Sequence, residues 1–306
     1  MADSANPVHV PVLLAPVLAA AAGASRAVDA TLGDGGHAEA LRGLGAEVLG
    51  IDRDPVAVAV SRRRLGDEGM HYLQAPYSAP AALAAVAAFR PEFILLDLGV
   101  SSRQLDEADR GFTFRPNAPL DMRMGDAGPT AAAFLNSAAE PELARVFYEY
   151  GDERQSRRLA REIVRRRGNQ PFAISDDLVN AVRATLGPRA GPSEFARLFQ
   201  AVRIAVNDEL SGLAVALPAF RDALADGGRL AVITYHSGED RLVKLAFREW
   251  AAACICPPGQ PICTCRGRPL GRLVPRKPIV PEPDEVAANP RARSAHLRIF
   301  QAGDAS

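Results

Sequence analysis

Over the first hundred residues, short apolar runs alternate with segments of helical pattern, and that alternation leaves few folds open. The runs cover 27–32 (AVDATL), 46–52 (AEVLGID), 71–75 (HYLQA) and 93–99 (FILLDLG). Between them lie a short helical stretch ending near Leu44, a helix over 54–65 and another over 78–89. Asp54 is placed to cap the second of these, with Pro55 as its first residue. Strands this apolar are covered on both faces, so the spacing predicts a parallel sheet with helices on each side.

The alternation stops after residue 99. From 105 to 192 no run predicts a strand; helices are expected over 139–168 and 175–186, then over 193–210 and on to 224. The α/β pattern returns with DGGRLAVITYH (226–236), a helix over 239–252 and an alternating strand over 294–301. Residues 254–293, rich in Pro, Arg and Cys, are expected to be irregular. The chain therefore reads as an α/β domain interrupted by a helical insertion. Its boundaries fall at 1–106 for the first part, 107–194 for the insertion and 195–306 for the second part.

DATLGDGGH (29–37) is the strongest local signal. A strand ends in a turn carrying Gly33, Gly35 and Gly36, and a helix starts at once; glycine allows a tight turn and close approach of a ligand to the backbone. Asp52 ends the second strand, where a carboxylate can accept hydrogen bonds from two ribose hydroxyls. These features suit a nicotinamide or an S-adenosylmethionine site. The G-x-G-G spacing departs from G-x-G-x-x-G. Asp29 would face a diphosphate unfavourably, yet it suits a ligand carrying an ammonium and a sulfonium. The residues thus favour the methyl donor over a nicotinamide-dependent oxidoreductase. Asp97 interrupts the fourth strand at its carboxyl end, where open α/β sheets bind ligands, and a carboxylate there needs a partner.

With these segments in hand, the chain resembles the RsmH (MraW) family of 16S rRNA cytosine-N4 methyltransferases, from about His9 to Arg298. The segments are HVPVLL (9–14), DATLGDGGH (29–37), GIDRDP (50–55), LLDLGVSSRQLD (95–106), GFTFRPNAPLDMRM (111–124), YGDER (150–154), FQAVRIAVNDEL (199–210), TYHSGEDRLVK (234–244) and NPRARSAHLR (289–298). The resemblance implies a Rossmann-like class I methyltransferase domain with an inserted helical domain that helps recognise RNA. It implies S-adenosylmethionine as cofactor, held by Gly35, Gly36, His37, Asp52, Tyr77, Asp97 and Gln104. Tyr77 stands where the family often has Phe, and Gly238 where it usually has Leu. The implied partner is 16S rRNA within the small ribosomal subunit. A non-catalytic RNA-binding assembly factor is the competing reading, opposed by the retained cofactor motifs.

The exocyclic amine of cytosine is a poor nucleophile, because its lone pair is delocalised into the ring. Catalysis needs in-line positioning and an acceptor for an N–H of that amine. Asp97, with the loop that follows it, is the expected catalytic residue. His236 and Ser237 end the fifth strand and can line the same cleft, while Glu239 and Asp240 are expected to cap the next helix.

Formal net charge is zero, so a nucleic-acid partner must be held by local patches. Of the 36 basic residues only Lys244 and Lys277 are lysine, a bias that a GC-rich genome explains as well as phosphate binding does. Clustering is more informative. Arg154, Arg158, Arg161 and Arg165 are expected to share one helix face, opposite Leu159 and Ile163. Residues 254–281 add five basic residues and no acid.

The four cysteines form C-x-C pairs at 254/256 and 263/265. Four close thiols can bind zinc, but C-x-C is tighter than the usual spacing and no histidine is interleaved. Zinc is possible but not favoured, and no metal ligand joins the expected site residues. The apolar run 11–22 is too short to span a bilayer. Asp3 precedes it and no Lys or Arg does, which does not suit a signal peptide. A cytoplasmic protein without a membrane partner is expected. Oligomeric state is not legible.

Overall fold

The computed structural model describes residues 11–260 and 262–303. His9 and Val10 of the first resembling segment, and Asp3, lie outside the described residues. The chain divides into two compact units, one built from its two ends, 1–99 and 210–306, and one from 100–209.

The first unit opens with α1 (Leu14–Ala21), then alternates β1 (Arg26–Asp29), α2 (Gly36–Gly43), β2 (Glu47–Asp52), α3 (Pro55–Leu65), β3 (Met70–Gln74), α4 (Pro80–Phe89) and β4 (Phe93–Asp97). Asp54 caps α3 as expected, its carboxylate accepting from the Val56 amide at 3.0 Å.

The second unit holds α5 (Ser102–Asp106), α6 (Ala131–Ser137), α7 (Glu140–Glu149), α8 (Ser156–Arg167), α9 (Ser175–Leu186) and α10 (Pro192–Asn207). Among the described residues it contains no strand, only an isolated bridge between Pro119 and Ile174. The single helix expected over 139–168 is in fact two. Asp152 takes a left-handed φ of 46°. A side chain at Gly151 would strike the Phe147 carbonyl, so only glycine lets the chain turn this tightly before α8 starts afresh. Glu153, buried in that turn, pairs with Arg197 of α10 at 2.7 Å. The YGDER segment is thereby explained as a helix–helix corner.

Chain order returns to the first unit with α11 (Glu209–Ala223), β5 (Arg229–Thr234), α12 (Ser237–Ala251), β6 (Gly271–Leu273), α13 (Pro283–Ala288) and β7 (His296–Ala302). Residues 254–293 are thus not wholly irregular, since they include β6 and α13. The break between α10 and α11 falls at Asp208, whose φ is 52°. The expected boundaries 106/107 and 194/195 differ from the observed 99/100 and 209/210. At the second seam the reason lies in α10, whose Phe195, Leu198, Phe199, Ala201 and Val202 pack into the core of the helical unit.

The strands form one seven-stranded sheet in the order β3-β2-β1-β4-β5-β7-β6. The first five are parallel; β7 runs antiparallel to β5 and β6. Side chains alternate across it. Ala27, Phe93, Leu95, Ala231 and Ile233 pack on the α1 and α2 side, while Val28, Ile94, Leu96, Leu230 and Val232 pack on the side of α4, α11 and α12. Among the described residues no helix is long and apolar enough to cross a membrane.

Candidate functional site

Period-two alternation decides where the strand-end carboxylates point. Asp29 follows Ala27, Asp52 follows Val48 by four, and Asp97 follows Leu95, so all three share the face covered by α2. The strand order reverses between β1 and β4, and open α/β sheets bind ligands at the carboxyl edge of such a switch point. Asp29 and Asp97 therefore flank that position, with Asp52 one strand further out.

Asp97 is held from three sides. Its backbone N–H donates to Thr31 Oγ1 at 2.6 Å. Its Oδ1 accepts from the Tyr235 hydroxyl at 2.8 Å, and its Oδ2 lies 3.5 Å from His37 Nε2. The last distance is an ion-pair contact rather than a well-formed hydrogen bond, and both His37 ring nitrogens otherwise lack partners. Burial disfavours the His37 cation, but Asp97 and then Asp29 outweigh it and raise the imidazole above its ordinary range. Burial, then the Asp97 charge, drive the Tyr235 hydroxyl far upward, so it stays protonated and donates.

Asp29 is 1% exposed. Its Oδ1 accepts the Thr31 amide at 3.2 Å, whereas Oδ2 has no partner. Burial pushes this carboxyl up to about 6, against the pull of His37. Asp52 accepts from the Gly33 and Asp54 amides, each at 2.8 Å. Burial nevertheless raises it above the usual carboxylate range. Two amides leave lone pairs on both oxygens for further donors.

The glycines of the turn prove to have reasons inside the chain. Gly35 has a φ of 81°, and a side chain on it would meet Ser61 and Leu65; one on Gly36 would meet Pro11 at 2.6 Å. Ser61 in turn donates to the Gly33 carbonyl at 2.8 Å. Tyr77, beyond β3, is partly buried against the α4, α11 and α12 side. Gln104 belongs to the helical unit; its side chain completes a capping box with Ser101 and donates to the Met124 carbonyl at 3.3 Å.

His236 is the N-cap of α12, where Nδ1 accepts the Glu239 amide at 3.4 Å. Glu239 completes that capping box by accepting the His236 amide at 3.4 Å, and it also accepts the Tyr235 amide at 2.8 Å. Asp240 does not cap, contrary to expectation. It forks onto Arg298 of β7 at 2.7 and 2.9 Å. Tyr235 and Thr31 were not singled out by the sequence, although each fastens Asp97. A signal existed: an acid ending an apolar strand needs donors, and β5 pairs Ile233 with Asp97, which puts Tyr235 two residues further along the same face.

The order of the sheet, with its acids gathered at the switch point and the glycine turn beside them, is that of Rossmann-like proteins of the class I methyltransferase type. Comparison with known sequences narrows the class: the chain belongs to the MraW methylase family, whose model matches residues 6–303. It is 56% identical over 299 residues to the ribosomal RNA small subunit methyltransferase H of Gemmatimonas aurantiaca, covering 96% of this chain and 95% of that one. The protein of the same name from Heliobacterium modesticaldum is 46% identical, with 96% and 98% covered. That from Rubrobacter xylanophilus is 48% identical, with 95% of each covered.

Proposed function

We propose that this protein transfers a methyl group from S-adenosylmethionine to the N4 amine of a cytosine in 16S rRNA, acting on the small ribosomal subunit in the cytoplasm. Family membership supports the methyl transfer, and the names of the relatives support the ribosomal substrate. The N4 position rests on the sequence resemblance.

The observation that carries the cofactor assignment is the unpartnered Oδ2 of buried Asp29. Leaving such an oxygen without a donor costs free energy, and the ammonium of the methyl donor's amino-acid end is a fitting partner. S-adenosylmethionine, when bound, supplies an electrophilic methyl group. Asp52 would accept the ribose hydroxyls through its remaining lone pairs, Tyr77 would offer an aromatic face to the adenine, and the turn at Gly35, Gly36 and His37 would frame the amino-acid end. Gln104 is assigned to the cofactor by the resemblance.

Asp97 is the proposed catalytic residue. Tyr235 fixes the orientation of its carboxylate while Thr31 holds its backbone N–H, so the carboxylate can accept an N–H from the cytosine amine without first reorganising. That contact draws density toward the nitrogen and favours the pyramidal geometry that attack requires. The deciding experiment incubates the protein with labelled methyl donor and small subunits lacking this methylation, then maps the labelled base. Label on the N4 of one cytosine is the expected result; label elsewhere, or none, refutes the assignment.

A further inference from the structure

We infer that Cys254, Cys256, Cys263 and Cys265 form a tetrathiolate site for one zinc-class cation, separate from the strand-end acids and serving to fasten the loop after α12. Zinc binds thiolate at about 2.3 Å, so a tetrahedral site sets neighbouring sulfurs about 3.8 Å apart. The observed Sγ···Sγ separations are 3.8 Å for Cys254 and Cys263, 3.9 Å for Cys256 and Cys263, 3.5 Å for Cys263 and Cys265, and 3.8 Å for Cys254 and Cys265. All four sulfurs lie within 4.8 Å of one another. They are free thiols converging on one point, not two separate pairs.

The tight C-x-C spacing is accommodated because each pair supplies two corners of the tetrahedron. Within Cys263–Cys265 the sulfurs already sit on the same side of the chain. The Ile255 amide donates to Cys265 Sγ at 3.3 Å, a contact between the two halves that favours a thiolate. Charge fits as well. Four thiolates around a divalent cation leave two negative charges, and residues 254–281 carry five basic residues and no acid.

The loop has little else to order it. No helix or strand is present among the described residues between Ala251 and Gly271, and its apolar side chains Ile255 and Ile262 are 44% and 75% exposed. Its end is tied to the fold by the Leu270 amide, which donates to the Trp250 carbonyl at 2.8 Å, and nearer the thiols by Arg266, next to the last cysteine. Its guanidinium donates to the carbonyls of Glu249, Trp250 and Ala252, capping the end of α12. A metal joining the two C-x-C pairs would hold Arg266 in that position.

The test uses the full chain purified without chelator in reducing buffer. Elemental analysis should give about one equivalent of zinc per chain, released by about four equivalents of a thiol-specific mercurial. Cobalt reconstitution should give the charge-transfer and visible bands of a tetrahedral thiolate site. Cys256→Ser and Cys263→Ser should each lower metal retention by about tenfold or more, and proteolysis should then cut within 254–267 first. The wild-type cobalt spectrum decides the matter even if a variant folds poorly. A wild-type protein that takes up no zinc or cobalt after reduction overturns the inference, as does undiminished retention in both variants or a thiol titration showing two disulfides.

Discussion

The Asp29 carboxyl ends a buried strand with one oxygen that no donor reaches, and its pKa is raised to about 6 by that burial. An acid raised in the folded state binds its proton more tightly there than in the unfolded chain, where it titrates at about 3.9. The penalty is absent below that value, grows up to about pH 6 and is complete above it. Asp29→Asn keeps the size and the Thr31 contact but cannot ionise. It should stabilise the ligand-free protein by about 2–3 kcal/mol at neutral pH, and the gain should fade as pH falls to 4. The same change removes the negative charge proposed for the cofactor's ammonium, so S-adenosylmethionine should bind at least about tenfold more weakly. Thermal melts across pH and calorimetry check both halves. A variant that is no more stable at neutral pH, or binds as tightly, contradicts this role. Asp52→Ala tests the neighbouring contact: losing a charge-assisted ribose hydrogen bond should cost about 1.5–3 kcal/mol of cofactor affinity, and unchanged calorimetric affinity would remove Asp52 from the site.

At the scale of elements, α8 shows both how much of this chain is legible and where legibility ends. Leu159 and Ile163 are buried, as a 3.6-residue period requires, and Arg157, Arg158 and Arg161 are exposed. Two members of the expected arginine face behave differently. Arg154 precedes the helix, and Arg165 forks onto Glu162 at 2.8 and 2.9 Å. Arg165, then Arg166, holds the Glu162 carboxyl down at about 2. Arg167 is spent on the carbonyls of Leu135 and Ala138. Periodicity gives the face of a helix but not which cations are already neutralised. For the same reason β6 left no sequence trace, since three residues held by pairing with β7 carry no pattern of their own. Within 154–167, the exposed cations left without a carboxylate among the described residues are Arg154, Arg157, Arg158 and Arg161. We predict that they hold RNA phosphates. Arg158→Ala with Arg161→Ala should weaken RNA binding and lower the slope of log affinity against log salt by about 0.7–0.9 for each phosphate no longer neutralised, while cofactor affinity and folding stay as they were. If affinity and slope match the unaltered protein, this face is solvated surface and residues 266–277 become the better candidate.

At the scale of the whole molecule, the α/β unit is made of two distant pieces of chain. β4 and β5 are hydrogen-bonded neighbours, Phe93 opposite Arg229 through Asp97 opposite Ile233, although the entire helical unit lies between them in sequence. The interruption was legible because strand pattern stops after residue 99 and returns at 226. The exact seams were not, because an amphipathic helix such as α10 shows which face is buried but not which core receives it. This connectivity has a consequence for folding. The sheet is incomplete until β5 and β7 exist, which requires nearly the whole chain. The helical unit, by contrast, is continuous and closes its own core, in which Leu120, Phe147, Leu159, Phe172, Leu178, Phe195 and Leu198 are buried. Its polar groups are also satisfied internally: Asn136 exchanges two hydrogen bonds with the Phe172 backbone, at 2.9 Å each, and buried Asn207 bonds the Met122 carbonyl and the Met124 amide at 2.7 and 2.8 Å. Its length lies within the range of independently stable domains. Residues 100–209 expressed alone should therefore give a helical circular dichroism spectrum and a cooperative melt. Residues 1–99 alone, which end before β5, should not. A 100–209 fragment that stays unfolded, or loses its helicity gradually on heating, would mean that its core depends on the rest of the chain.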